Sequence, residues 1–85
     1  MNAIILTNTI PGHDERQQVQ AAVIRGIGKR IEDEQWTVKI FAPQEREEYF
    51  IRINGPKGFS WEHSFAPGEQ APNFIEQTVR DAVGR

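Results

Sequence analysis

Cysteine is absent from this 85-residue sequence, which excludes a disulfide staple, thiolate catalysis and any thiolate metal site. A surplus of basic charge is missing too. Ten Lys and Arg stand against twelve Asp and Glu, a formal net charge of −2, so the footprint of a non-specific nucleic-acid binder is not there. No apolar run approaches a membrane span. Ala3-Ile4-Ile5-Leu6 is too short even for a signal segment and has no basic residue before it. Repeats, low-complexity tracts and linkers are also lacking. The expectation is one soluble, cytoplasmic domain with no membrane partner, no cofactor and no metal.

What is present is an ordinary folding composition. The chain is 38% hydrophobic and 26% charged, and its five Phe, two Trp and one Tyr argue against disorder. A domain this small buries only about 60–65% of its unfolded surface, so its core is small and its stability margin thin.

The stretch from Trp36 to Phe65 organises the rest. Trp36, Val38 and Ile40 alternate with Thr37 and Lys39; Tyr49, Ile51 and Ile53 alternate with Phe50 and Arg52; Phe59, Trp61, His63 and Phe65 alternate with Ser60, Glu62 and Ser64. Strand side chains point to opposite faces with a period of two, so this reads as three consecutive strands sharing one apolar face. A four-residue loop Pro43-Gln44-Glu45-Arg46 sets Ile40 opposite Tyr49 and Trp36 opposite Ile53. A second turn through Asn54-Gly55-Pro56-Lys57-Gly58 sets Ile53 opposite Phe59, Ile51 opposite Trp61 and Tyr49 opposite His63.

The flanks supply what covers that face. Residues 3–7 read as a short β-branched strand ending at Pro11-Gly12. A helix is expected from about Asp14, as N-cap, to about Asp33. Its stripe is Val19, Ala22, Val23, Gly26, Ile27, Arg30 and Ile31, and its small residues Ala22 and Gly26 would let it lie close to a sheet. A last helix is expected from about Asn73 to Val83, with Asn73 and Glu76 as a capping box and Gly84 as its end. The fold class that follows is α+β: a two-layer β-α-β-β-β-α domain, its mainly antiparallel sheet of three or four strands carrying two helices on one face. Strand 3–7 is left to pair parallel to a later strand or with a second copy of the chain.

Few residues suggest chemistry. His63 lies on the core face with only Tyr49 as a polar neighbour, which favours a structural histidine bonded to the backbone or to Tyr49 over a general acid–base. His13-Asp14-Glu15 reads as a helix start; no ligand spacing makes it a metal site. Gly26-Ile27-Gly28-Lys29 falls inside a helical pattern and is no phosphate loop. Arg25 and Lys29, four apart, share a helix face that is either solvated or in contact with an anionic partner. Residues 54–58 are what a plain hairpin turn demands.

The outer sheet face is more informative. It carries Lys39, Phe41, Phe50 and Arg52 with Thr37, Glu48, Glu62 and Ser residues. Two phenylalanines on a face that is merely wet are unusual. Aromatics with Arg mark protein interfaces, and aromatics with basic residues on an open sheet also hold single-stranded nucleic acid. Glu48, Glu62 and the acidic balance count against the latter. The expectation is a non-enzymatic interaction module, a homodimer or a partner-binding protein. Its alternative is a nucleic-acid binder using Lys39, Phe41, Phe50 and Arg52 with Arg25 and Lys29.

The helix–strand–strand–strand–helix order is similar to that of double-stranded-RNA-binding domains and of small toxin ribonucleases on the same scaffold. The likeness is one of order alone. The last helix starts Asn73-Phe74-Ile75-Glu76-Gln77 without lysine, and Gly58, Ser60 and His63 lack the spacing of the toxins' Gly-Ser-His motif. No residue role is carried over.

Overall fold

The structure, a computed structural model, describes residues 3–30, 34–43 and 47–84. The expected participation of Ile31 in the helix stripe, the helix end at Asp33 and the turn at residues 44–46 lie outside them. Strand β1 (Ala3–Asn8) leads into helix α1 (His13–Ile27). Strands β2 (Gln35–Phe41), β3 (Tyr49–Asn54) and β4 (Ser60–Phe65) follow, and helix α2 (Pro72–Val83) comes last. The sheet order is β1-β2-β3-β4, with β1 parallel to β2 and the two later pairings antiparallel. The expected α+β architecture is therefore present, with four strands, and the open question of β1 is answered by its pairing with β2.

The alternation sorts the sheet as expected. Trp36, Val38, Ile40, Ile51, Ile53 and Phe65 are buried on one face. Over them lie Val19, Ala22, Val23 and Ile27 of α1 and Ile75, Val79, Ala82 and Val83 of α2. Both registers nonetheless differ from the expected ones by two residues. Val38 faces Ile53 and Ile40 faces Ile51; across the next pair, Ile53 faces Trp61 and Ile51 faces His63. The β3–β4 connection is the five-residue segment 55–59, a 3-10 turn at Pro56–Gly58 closed by the Gly55 N–H donating to the Phe59 carbonyl at 2.9 Å. Lys57 and Gly58 take positive φ there, 58° and 79°. A shift of two keeps every side chain on its face, so the apolar pattern alone does not resolve it.

Helix α1 is shorter than its periodicity suggests. Gly28 adopts φ 73°, ψ −149° and its N–H closes on the Ile24 carbonyl at 3.0 Å, so the chain leaves the helix at a conformation only glycine takes readily. Lys29 lies beyond that end, and the helix face it was expected to share with Arg25 does not extend to it. At the other end Gly12, not Asp14, is the cap residue, with φ 91° and no side-chain cap bond. Asp14 and Glu15 sit inside the first turn, where anions favour the helix dipole. Asn8 ties strand to helix: its Nδ2 donates to the Arg16 carbonyl at 2.9 Å and its Oδ1 accepts the Ile10 N–H at 3.2 Å.

The second helix begins with Pro72 after Ala71, again without a side-chain cap. Pro at the first helical position needs no partner for a missing N–H. The expected Asn73–Glu76 capping box is not formed: Ala71 is the cap residue, so Asn73 already lies inside the helix, and the Glu76 carboxylate is paired with two arginines.

Candidate functional site

Lys39, Phe41, Phe50 and Arg52 come together on the sheet face away from the helices. The register that displaced the expected one is what unites them. With Ile40 opposite Tyr49, Phe41 would have faced Glu48; in the observed pairing Phe41 faces Phe50 and Lys39 faces Arg52. The two phenyl rings stack with centroids 5.2 Å apart and planes 13° from parallel. Lys39 Nζ lies 5.4 Å from the centre of the Phe41 ring, within cation–π reach. Both phenylalanines are half-buried, shielded by each other. The adjacent row reads Thr7, Lys39, Arg52, Glu62 across all four strands. Two cations stand side by side at its centre and an anion at the β4 end.

Arg25 and Lys29 are not part of this cluster. Arg25 Nε pairs with Glu76 Oε1 at 2.7 Å, and Arg80 Nη2 pairs with Glu76 Oε2 at 2.7 Å, so one carboxylate joins α1 to α2. The Arg25 hydrogen bond, then that of Arg80, holds the Glu76 carboxyl below its ordinary value of 4.5. A carboxyl depressed in the folded state stabilises it above the unfolded value and loses that contribution as pH falls through the folded one. Glu76→Gln is therefore expected to lower the melting temperature at neutral pH and to match wild type well below pH 4.5. Melting curves over a pH series check this; a difference that grows on acidification would contradict it. This cluster was not anticipated, since nothing in the local pattern distinguishes Glu76 from a capping residue. Arg30 adds a further tie by donating through Nη1 to the Val83 carbonyl at the end of α2.

Among the described residues His63 has aromatic rather than polar partners. Its ring lies 5.6 Å from Trp61 with planes 1° apart and 4.6 Å from Phe65 at 65°. Tyr49, the expected partner, faces Phe65 instead. Phe59, Trp61 and His63 line one wall of an open groove of about 580 Å³, with Thr78, Asp81 and Ala82 of α2 on the other. His13 is exposed at the start of α1, its Nδ1 3.5 Å from Arg16 Nη2. Among the described residues no group of three or more His, Asp and Glu is placed to hold a metal ion. None of the described helices is long and apolar enough to cross a membrane.

No family model, no curated protein and no solved structure matches this chain.

Proposed function

We propose that this chain is a small non-enzymatic interaction module that binds protein through the outer face of its sheet, with a second copy of itself as the occupant. The observation that carries this is the Phe41–Phe50 stack on the face the helices leave uncovered. Aromatic pairs flanked by arginine are what interface centres are made of. The face also carries both signs of charge, since Arg52 on β3 neighbours Glu62 on β4. Four strands about 4.8 Å apart and about six residues long give a footprint on the order of 400 Å² per copy. That is below a standard interface, so the association is weak and concentration-dependent.

Phe41→Asp and Phe50→Asp each place a carboxylate in the stack. Both are expected to lower the mass reached at high concentration in light scattering while the circular dichroism stays native. If both variants reach the same mass as wild type, this face is not the interface.

One observation favours a second reading. Lys39 and Arg52 are direct cross-strand neighbours beside the stacked rings, an arrangement that suits single-stranded nucleic acid. Glu62 in the same row opposes it. This reading predicts oligonucleotide binding that weakens steeply with salt; no binding at low salt ends it.

A further inference from the structure

Among the described residues the sheet has two open edges, and they are built differently. The β4 edge carries Glu62, a charge of the kind that keeps edges from pairing with other chains, and follows the irregular turn holding Lys57 and Gly58. The β1 edge, Ala3-Ile4-Ile5-Leu6-Thr7-Asn8, has no charge and no proline. Its ladder direction is fixed by its continuation: the Thr9 N–H donates to the Ile40 carbonyl at 2.9 Å. Backbone groups alternate sides along a strand, so the odd residues Ile5 and Thr7 turn their N–H and C=O groups toward β2. Ile4 and Leu6 turn theirs to the open side. Apolar side chains flank that edge on both faces. Ile5 is 56% exposed on the outer face, and Ile4 and Leu6 are only half-buried on the helix side.

We infer that β1 pairs antiparallel with β1 of a second copy about a two-fold axis beside Ile5, joining two domains into one eight-stranded sheet. A second copy fits because self-pairing of an uncharged strand brings no like charges together. On the adjoining strand the charge in the row of Thr7 is Lys39; with Ile5 opposite Ile5 the two Lys39 residues are about 14 Å apart across the sheet and about 13 Å along it, roughly 20 Å in all and beyond the screening length at physiological salt. The register follows from which groups are free. Ile4 of one copy exchanges both backbone hydrogen bonds with Leu6 of the other, and Ile5 faces Ile5 in the closely spaced, non-hydrogen-bonded position. Centring the axis on Leu6 instead would set Ile5 against Thr7 and leave it less covered. The axis is perpendicular to the sheet, so all helices stay on one side and the two outer faces become continuous.

This contact is separate from the outer-face one, and each can fail alone. The chain has no cysteine, so Ile5→Cys introduces a single thiol. Opposed residues of a non-hydrogen-bonded pair have Cα atoms about 4.5 Å apart, within disulfide range. Under mild oxidation Ile5→Cys is expected to form a covalent dimer at least about tenfold faster than Ser60→Cys, an exposed thiol on the opposite edge, because pairing raises its effective concentration. Adding Phe50→Asp is expected to leave that rate unchanged, which isolates the edge from the outer face. Ile5→Lys is expected to remove the edge dimer with native circular dichroism. Equal crosslinking rates for the two thiols, or an Ile5→Lys chain that keeps the wild-type mass, would overturn the inference.

Discussion

Replacing Trp36 with alanine is expected to cost about 3–5 kcal/mol, the range for emptying a large buried aromatic site. Trp36 is 2% exposed at the start of β2 and closes one end of the core. Three neighbours are fitted to it. The Phe59 ring meets it edge-on with centroids 5.8 Å apart. The Arg30 carbonyl accepts its Nε1–H at 3.3 Å. Gly55 packs so closely on the ring that a Cβ there would lie 2.5 Å from Cζ3. Gly55 has φ −128°, open to any residue, so the glycine serves this contact and not the turn. Backbone at Gly55 and at Arg30 does not collapse easily into a void, which places the loss toward the upper end of the range. Stabilities of small domains lie near the lower part of about 5–15 kcal/mol, so the variant should be close to unfolded. Urea denaturation followed by circular dichroism reads the change; a loss under about 1 kcal/mol, an average substitution, would contradict this packing.

Gly26→Ala is expected to destabilise the domain by about 1–2 kcal/mol, although helix propensity alone predicts a gain of roughly 1 kcal/mol. A Cβ at Gly26 would lie 2.8 Å from the Glu76 carbonyl oxygen and 2.8 Å from Val79 Cβ and Cγ1. Val79 is fully buried and a helix carbonyl cannot step aside, so α1 and α2 must separate. Overpacking of this kind costs about 1–3 kcal/mol and outweighs the propensity term. Separation also pulls Arg25 from Glu76, whose 2.7 Å ion pair spans the same interface. The two effects have opposite signs, so the direction of the urea midpoint decides between them. A stabilised Gly26→Ala chain would mean that the helices are less closely apposed than described.

These residues also show how far the amino-acid sequence alone can be read. Alternation from Trp36 to Phe65 placed every strand side chain on its correct face, because burial depends only on odd or even position. The registers differ by two for the same reason: an even shift leaves every side chain on its face, so the apolar pattern does not distinguish the alternatives. Gly26 was legible as a close-contact residue, but it meets α2 and not the sheet, since periodicity gives a stripe and not its partner. Gly28 falls inside the helical pattern, yet its backbone conformation ends the helix. Glu76 looked like half of a capping box; its arginine partners are Arg25, distant in sequence, and Arg80 one turn on. The outer-face residues Lys39, Phe41, Phe50 and Arg52 were legible as a set, while the Phe41–Phe50 stack depended on the true register. Arg25 and Lys29 were drawn toward that set by charge alone, and the fold puts Arg25 between helices.

The most direct test of the outer face as the interaction surface is sedimentation equilibrium on the Ile5→Lys chain, in which edge pairing is blocked. Its average mass is predicted to rise with concentration toward twice that of a single chain, and adding Phe50→Asp is predicted to return it to one chain. A mass that stays at one chain at every concentration would contradict association through the Phe41–Phe50 face.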